Sequence, residues 1–208
     1  MKKRMRVFAG PNGSGKSSII KSIMETEVPG GKKLDFGIYV NADDIALDLQ
    51  SPKGFVFGAY EIDFSEAEFF KIVRDSGLLN DSFSEEYFQK SILIRKDRLQ
   101  VIPSCRGNKG DVERIAQILA DYFRKKLLTM GKKFSFETVF SHPGKVEIMK
   151  LAKELGYKVY LYFVSTEHPD INIYRVKKVR VPANGHDVPE EKIVSRYYRS
   201  MEQLYEAA

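Results

Sequence analysis

RVFAGPNGSGKSSIIKSIM, running from Arg6 to Met24, is the stretch whose reading decides the fold. Val7-Phe8-Ala9 is a short apolar run, Gly10 to Ser17 fits G-x-x-x-x-G-K-[ST], and Ile19, Ile20, Ile23 and Met24 follow at helical spacing. Strand, loop, helix is the order that a phosphate-binding loop requires. Gly10, Gly13 and Gly15 admit backbone conformations closed to residues with a Cβ, so successive N–H groups can converge on an anion at the positive end of a helix dipole. The residues expected to bind ATP are Gly10, Pro11, Asn12, Gly13, Ser14, Gly15, Lys16, Ser17 and Ser18. Lys16 is expected to reach the β- and γ-phosphates, and Ser17 to offer its hydroxyl to a magnesium ion bridging them.

Outward from that loop, the bulk numbers bound the answer. Hydrophobic residues at 43% and charged residues at 30% of 208 describe a globular chain with material for a real core, long enough for one domain carrying an insertion. The basic start MKKRMRVFAG runs straight into the first strand, with no apolar segment long enough for a signal peptide or a membrane span. A cytoplasmic location without membrane contact is expected. Cys105 is the sole cysteine, which excludes an internal disulfide, and His142, His168 and His186 lack metal-ligand spacing. A net charge of +6 suits attraction to nucleic acid, yet a phosphate-handling site needs cations too, and the latter reading is favoured.

Taken in order, Glu27 to Gly31 breaks the first helix, and Gly37-Ile38-Tyr39-Val40-Asn41 predicts a second strand, parallel and next to the first. It ends in Asn41-Ala42-Asp43-Asp44, placing two carboxylates at the edge on which open α/β sheets bind ligands. Asn41 and Asp43 are candidate substrate-binding residues, Asp43 the candidate general base and Asp44 the next choice. Helix capping explains the same acids. From Asp48 to Gly110 the sequence predicts a helical insertion, with helices over Ser65 to Arg74 and Ser84 to Leu99 and a loop over Pro103 to Gly110. Its many aromatics, Phe55, Phe57, Phe69 and Phe88 among them, read as packing, and its placement after the second strand suits a lid.

Asp111 to Met130 predicts an amphipathic helix, Phe134 to Phe140 a central strand, Ser141 to Leu155 a helix with Pro143 in its first turn, and Tyr157 to Ser165 a fourth strand. Glu137 inside a buried strand demands a partner, whether a cation or substrate hydroxyls, the alternative being a structural ion pair. Asp170 to Arg180 predicts a cation-bearing helix, Val181 to Gly185 a loop, and Asp187 with Glu190 a capping box for a final helix from about Pro189. Alternating strands and helices imply an α/β fold, a mostly parallel sheet with helices on both faces.

The blocks GPNGSGKS, YVNADDIA, FSFETVFSHPGK and NIYRVKKVRVPANGHDVPEEKIVSRYYRS together resemble the zeta toxin family and its relatives labelled predicted ABC-type ATPases. The resemblance covers roughly the first fifty and the last eighty residues. It implies a P-loop kinase fold and transfer of the ATP γ-phosphate to UDP-N-acetylglucosamine, with Lys16 and Ser17 holding the triphosphate and magnesium, and Asp43 as base. It further implies Glu137 and Thr138 at the sugar-nucleotide site, Arg175 and Arg180 acting on the phosphates as catalytic cations, and an inhibitory protein partner. Two departures stand out: the Asp48 to Gly110 stretch is longer than the family's usual segment, and similar proteins continue past the final helix into a further strand. The alternatives are a kinase acting on nucleic-acid ends, supported by the basic balance alone, and an ATPase or nucleotide switch working through a protein partner. Against the switch, no apolar run ends in Asp as a Walker B strand would.

Overall fold

The computed structural model describes residues 3–28, 30–182 and 187–207. Pro29, His186 and most of the expected loop from Val181 to Gly185 lie outside them. The chain divides into two compact units, one of residues up to Tyr39 together with those from Lys133 onward, the other Val40–Lys132.

The first unit begins with β1 (Arg4–Ala9) and α1 (Lys16–Glu25), followed by a short hairpin of β2 (Glu27–Val28) and β3 (Lys32–Lys33), then β4 (Ile38–Val40). In the Val40–Lys132 unit come α2 (Ala42–Gln50), β5 (Phe55–Val56), a 3-10 turn (Phe57–Tyr60), α3 (Glu66–Arg74), α4 (Glu85–Ser91), β6 (Ile92–Arg95), β7 (Arg98–Val101), α5 (Pro103–Arg106) and α6 (Lys109–Thr129). The chain then returns to the first unit with β8 (Phe134–Thr138), α7 (Gly144–Glu154), β9 (Lys158–Phe163), α8 (Pro169–Tyr174), a π-helical turn (Arg175–Arg180) and α9 (Glu190–Ala207).

The main sheet is four-stranded and parallel, in the order β4-β8-β1-β9, and helices flank it. Here the expectation that the second strand neighbours the first fails, because β8 lies between them. The reason is burial. Strand β1 buries five of its six residues and β8 its Phe134, Ser135 and Phe136, so these two take the centre. Strand β4, three residues long with Ile38 and Tyr39 only half-buried, suits an edge. Register pairs Phe8 with Glu137 and Ala9 with Thr138, so β1 and β8 finish side by side. Phe8, Ile20 and Phe36 form a buried cluster against which Ile23, Met24, Tyr39 and Tyr162 pack, and the Phe8 and Tyr162 rings stack at 4.9 Å. That cluster fixes α1, and with it the loop preceding it, on the sheet. Among the described residues no helix is long and apolar enough to cross a membrane.

The Val40–Lys132 unit corrects three expectations. Residues Ser84 to Leu99 are not one helix: α4 stops at Ser91, and Ile92–Arg95 and Arg98–Val101 pair as an antiparallel hairpin. Leu99 and Val101 alternate in burial with Arg98 and Gln100, a period of two that no helix face can satisfy, and Lys96 supplies the left-handed turn residue at φ 54°. With β5 this makes a three-stranded sheet, order β5-β7-β6, so the segment is not purely helical. The Pro103 to Gly110 loop contains α5, which starts on Pro103, and the first residues of α6, capped by Asn108 Oδ1 accepting from Gly110 and Asp111 N–H. The aromatics pack, as read: Phe55, Phe57, Phe69, Phe88, Tyr122 and Phe123 are all buried and in mutual ring contact.

Tyr122 is fully buried, and its hydroxyl has no hydrogen-bond partner among the described residues. Burial, followed by the nearby Glu68 carboxylate, pushes its phenol up to about 12. A folded-state value above the ordinary 10 means that the folded chain keeps a proton which the unfolded chain releases, so this contribution is complete below about pH 10 and is lost as pH rises towards 12. Tyr122→Phe deletes both the unmet hydroxyl and the titration. The variant is expected to be at least as stable as wild type at pH 7, by up to about 1 kcal/mol, with a shallower loss of stability above about pH 10. Urea melts at pH 7, 9 and 11 check it; a clearly destabilised variant at pH 7 means that the hydroxyl has a partner.

Candidate active site

The loop between β1 and α1 is built from glycines that the chain needs. Gly10, Gly13 and Gly15 all take positive φ, 141°, 75° and 96°. A Cβ on Gly13 would sit 2.6 Å from the Asn172 carbonyl, so the loop lies directly against α8. Ser14 N–H donates to the Pro11 carbonyl at 3.3 Å, and the buried Lys16 folds its ammonium back to donate to that same carbonyl at 2.9 Å. The lysine cation is thereby held against the main chain of the loop on which phosphate oxygens are expected. The Ser14 side chain is buried too, and its hydroxyl has no hydrogen-bond partner among the described residues.

On one flank is Glu137, two residues from the fully buried Ser135 on β8. The Ser17 hydroxyl donates to its carboxylate at 3.2 Å to Oε1 and 3.4 Å to Oε2, and the Tyr39 hydroxyl donates to Oε2 at 3.2 Å. The partners of this strand-borne carboxylate are two of the chain's own hydroxyls, in place of the cation or substrate hydroxyls expected. Next to it Thr138 accepts the Phe140 N–H on its Oγ1 at 3.1 Å, turning the chain off the strand through a left-handed Phe140, φ 62°.

On the other flank the α8 and α9 region clamps the loop. Asn172, fully buried, donates from Nδ2 to the Asn12 carbonyl at 2.6 Å, and its own Oδ1 accepts from the Thr166 hydroxyl. Arg175 Nη1 donates to the Ser14 carbonyl at 3.3 Å, and Arg196 Nη1 reaches Asn12 Oδ1 at 3.4 Å. Arg175 opens the π-helical turn and Arg180, half-buried, closes it. The expected single helix over Asp170 to Arg180 is thus two segments: His168 caps α8 with Nδ1 on the Asp170 N–H, and the wider turn begins at Arg175, where the chain meets the loop. Asp187 takes the Lys177 ammonium at 2.7 Å, and α9 starts at Glu190. From α9, Tyr197 donates to the Thr166 carbonyl at 2.8 Å and Ser200 to the Val139 carbonyl at 2.7 Å, tying together the chain that leaves β9 and β8.

No family model matches the chain. A segment of 64 residues, 31% of this chain, is 34% identical to an uncharacterized protein of Haemophilus influenzae, of whose length it covers 45%.

The structure brings Lys16, Ser17, Glu137 and Arg175 around one loop, with Thr138 at the end of β8 beside Ala9. Ser18 is exposed on the first turn of α1. Asn41 and Asp43 belong to the other unit, where Asn41 Oδ1 caps α2 by accepting the Asp43 N–H at 2.9 Å. The capping reading of that acidic stretch is therefore real for Asn41, and it leaves the exposed Asp43 carboxylate on the second residue of the helix. Asp44 is held above the usual carboxylate range, first by burial and then by the charges of Asp43 and Asp48. Sequence reasoning missed Tyr39, Asn172 and Arg196. Asn172 had a signal: it is a lone amide between Ile171 and Ile173, and a buried amide needs partners.

Proposed function

We propose that this chain is an ATP- and magnesium-dependent phosphotransferase of the zeta toxin kind, moving the γ-phosphate of ATP to a hydroxyl of UDP-N-acetylglucosamine or a related sugar nucleotide. The observation that carries the reading is the Ser17 hydroxyl on the Glu137 carboxylate at 3.2 Å, at the mouth of a loop whose lysine is already folded inward. Ser17 and Glu137 suit magnesium, an ion that commonly takes one or two protein oxygens beside the substrate's phosphates. When bound, it neutralises charge between the β- and γ-phosphates.

The chain's own residues supply the rest. Loop N–H groups and the start of α1 bind the phosphates, the Lys16 ammonium lies against the departing ADP, and Arg175 with Arg180 stabilises charge on the transferred group. The acceptor oxygen bonds to the γ-phosphorus as a base takes its proton, the role that the sequence assigns to Asp43, while the bond from that phosphorus to the β,γ-bridging oxygen breaks and its electron pair leaves with ADP. Thr138, at the end of β8, and Glu137 are assigned to the acceptor, and Glu137 also serves the metal side through Ser17. The test is ATP consumption by purified protein with magnesium, with and without UDP-N-acetylglucosamine, the product identified by mass. A phosphorylated sugar nucleotide is the expected result. ATP binding without transfer to that acceptor overturns the acceptor assignment.

A further inference from the structure

Resting on that nucleotide reading, we propose that Tyr39 is a positioning residue for the metal side of the site: its hydroxyl holds the Glu137 carboxylate in place for Ser17. The phenol donates to Glu137 Oε2 at 3.2 Å, while Ser17 donates to both carboxylate oxygens. The three groups come from β4, β8 and α1, far apart in sequence, so the chain of contacts is a product of the fold.

What makes the contact rigid is packing. The Tyr39 ring lies against the cluster of Phe8, Ile20 and Phe36. Ile20 is on α1 three residues after Ser17, so the same cluster that fixes the ring also fixes the helix carrying the hydroxyl. Phe8 is paired in register with Glu137. One core cluster thus sets the positions of all three side chains. A hydroxyl that ligates a cation through a lone pair must place its proton on an acceptor, and Glu137 is that acceptor for Ser17. The Glu137 side chain is not rigid in itself, since rotation about its own bonds can turn the carboxylate away. The Tyr39 donor removes that freedom by occupying Oε2. Partners one step behind a metal ligand typically change metal affinity by 10- to 100-fold when lost.

Tyr39→Phe keeps the ring in the cluster and deletes only the donor, so the fold is preserved, which a thermal melt verifies. Mn2+ is titrated by electron paramagnetic resonance into protein loaded with a non-hydrolysable ATP analogue, with protein in excess so that all nucleotide is bound. In the variant, Mn2+ affinity of the loaded protein is expected to fall about tenfold, while affinity for the metal-free analogue in EDTA stays within about twofold of wild type. Glu137→Gln is expected to lose at least as much metal affinity, and adding Tyr39→Phe to it to cause little further loss, because the phenol acts through the carboxylate. Unchanged Mn2+ affinity in Tyr39→Phe overturns the proposal, as does an equal loss with and without metal, which marks a merely structural role. A wild-type protein that binds no analogue overturns the nucleotide reading itself, and shows this before any variant is compared.

Discussion

Gly10→Ala is expected to destabilise the first unit by about 3 kcal/mol or more and to abolish nucleotide binding. Gly10 takes φ 141°, and a Cβ there would stand 2.0 Å from the Val164 carbonyl oxygen and 3.0 Å from its carbon. That carbonyl has nowhere to go, because the Val164 N–H donates to the Ala9 carbonyl at 2.9 Å and continues the pairing of β9 with β1. Either the sheet gives way at its end or the loop opens, and an opened loop no longer aims its N–H groups at one anion. The steric part separates from backbone strain by comparison with Gly156, which has φ 79° and nothing within 4 Å of a built Cβ. Gly156→Ala therefore carries the left-handed penalty alone, about 1–2 kcal/mol. Urea melts of both variants give the difference directly. Equal losses in the two would show that the contact with Val164 is relieved at no cost.

How much of this was legible in the sequence depends on the range of the interactions. The loop was legible because its pattern is local: three glycines, a lysine and a serine between an apolar run and a helical period. Sheet order was not, since the placing of β8 between β4 and β1 follows from total burial of Phe134 to Phe136, and burial is a property of the assembled layers. The 92–101 hairpin was hidden by the helix before it: Ser91 donates its hydroxyl to the Tyr87 carbonyl and closes α4, a stop that carries neither glycine nor proline.

The site divides in the same way. Glu137 was identified by its cost, a carboxylate in an apolar strand, without the identity of what satisfies it. Tyr39 read as one more strand aromatic, and only the third dimension puts its hydroxyl on Glu137. Arg196 sits in a long charged helix whose face pattern gives no reason to single it out, yet it reaches Asn12 of the loop. Asn12, a variable position of the motif by its pattern, is tied by its carbonyl to Asn172 and by its side chain to Arg196, so the loop's first half is braced from α8 and α9.

Asp43→Asn and Lys16→Ala are expected to separate chemistry from binding. In Lys16→Ala the buried cation that donates to the Pro11 carbonyl is gone, so both nucleotide affinity and turnover fall. In Asp43→Asn the helix should be intact: the cap depends on Asn41 Oδ1 and the main-chain N–H of residue 43, neither of which changes, and the side chain is exposed. What the amide lacks is the ability to take a proton. A missing general base costs typically 10²- to 10⁴-fold in rate, so phosphoryl transfer is expected to fall by that factor while ATP affinity stays within about twofold. Asp44→Asn is the necessary companion, because Asp44 is held above the usual carboxylate range by burial and by its neighbours Asp43 and Asp48, and a raised value makes a carboxylate the better proton acceptor. If transfer survives in Asp43→Asn and fails in Asp44→Asn, the base is Asp44; if it survives in both, neither carboxylate alone is required as the base. Loss in Asp43→Asn with nucleotide affinity retained, against loss of both in Lys16→Ala, assigns the two residues to different steps of one reaction.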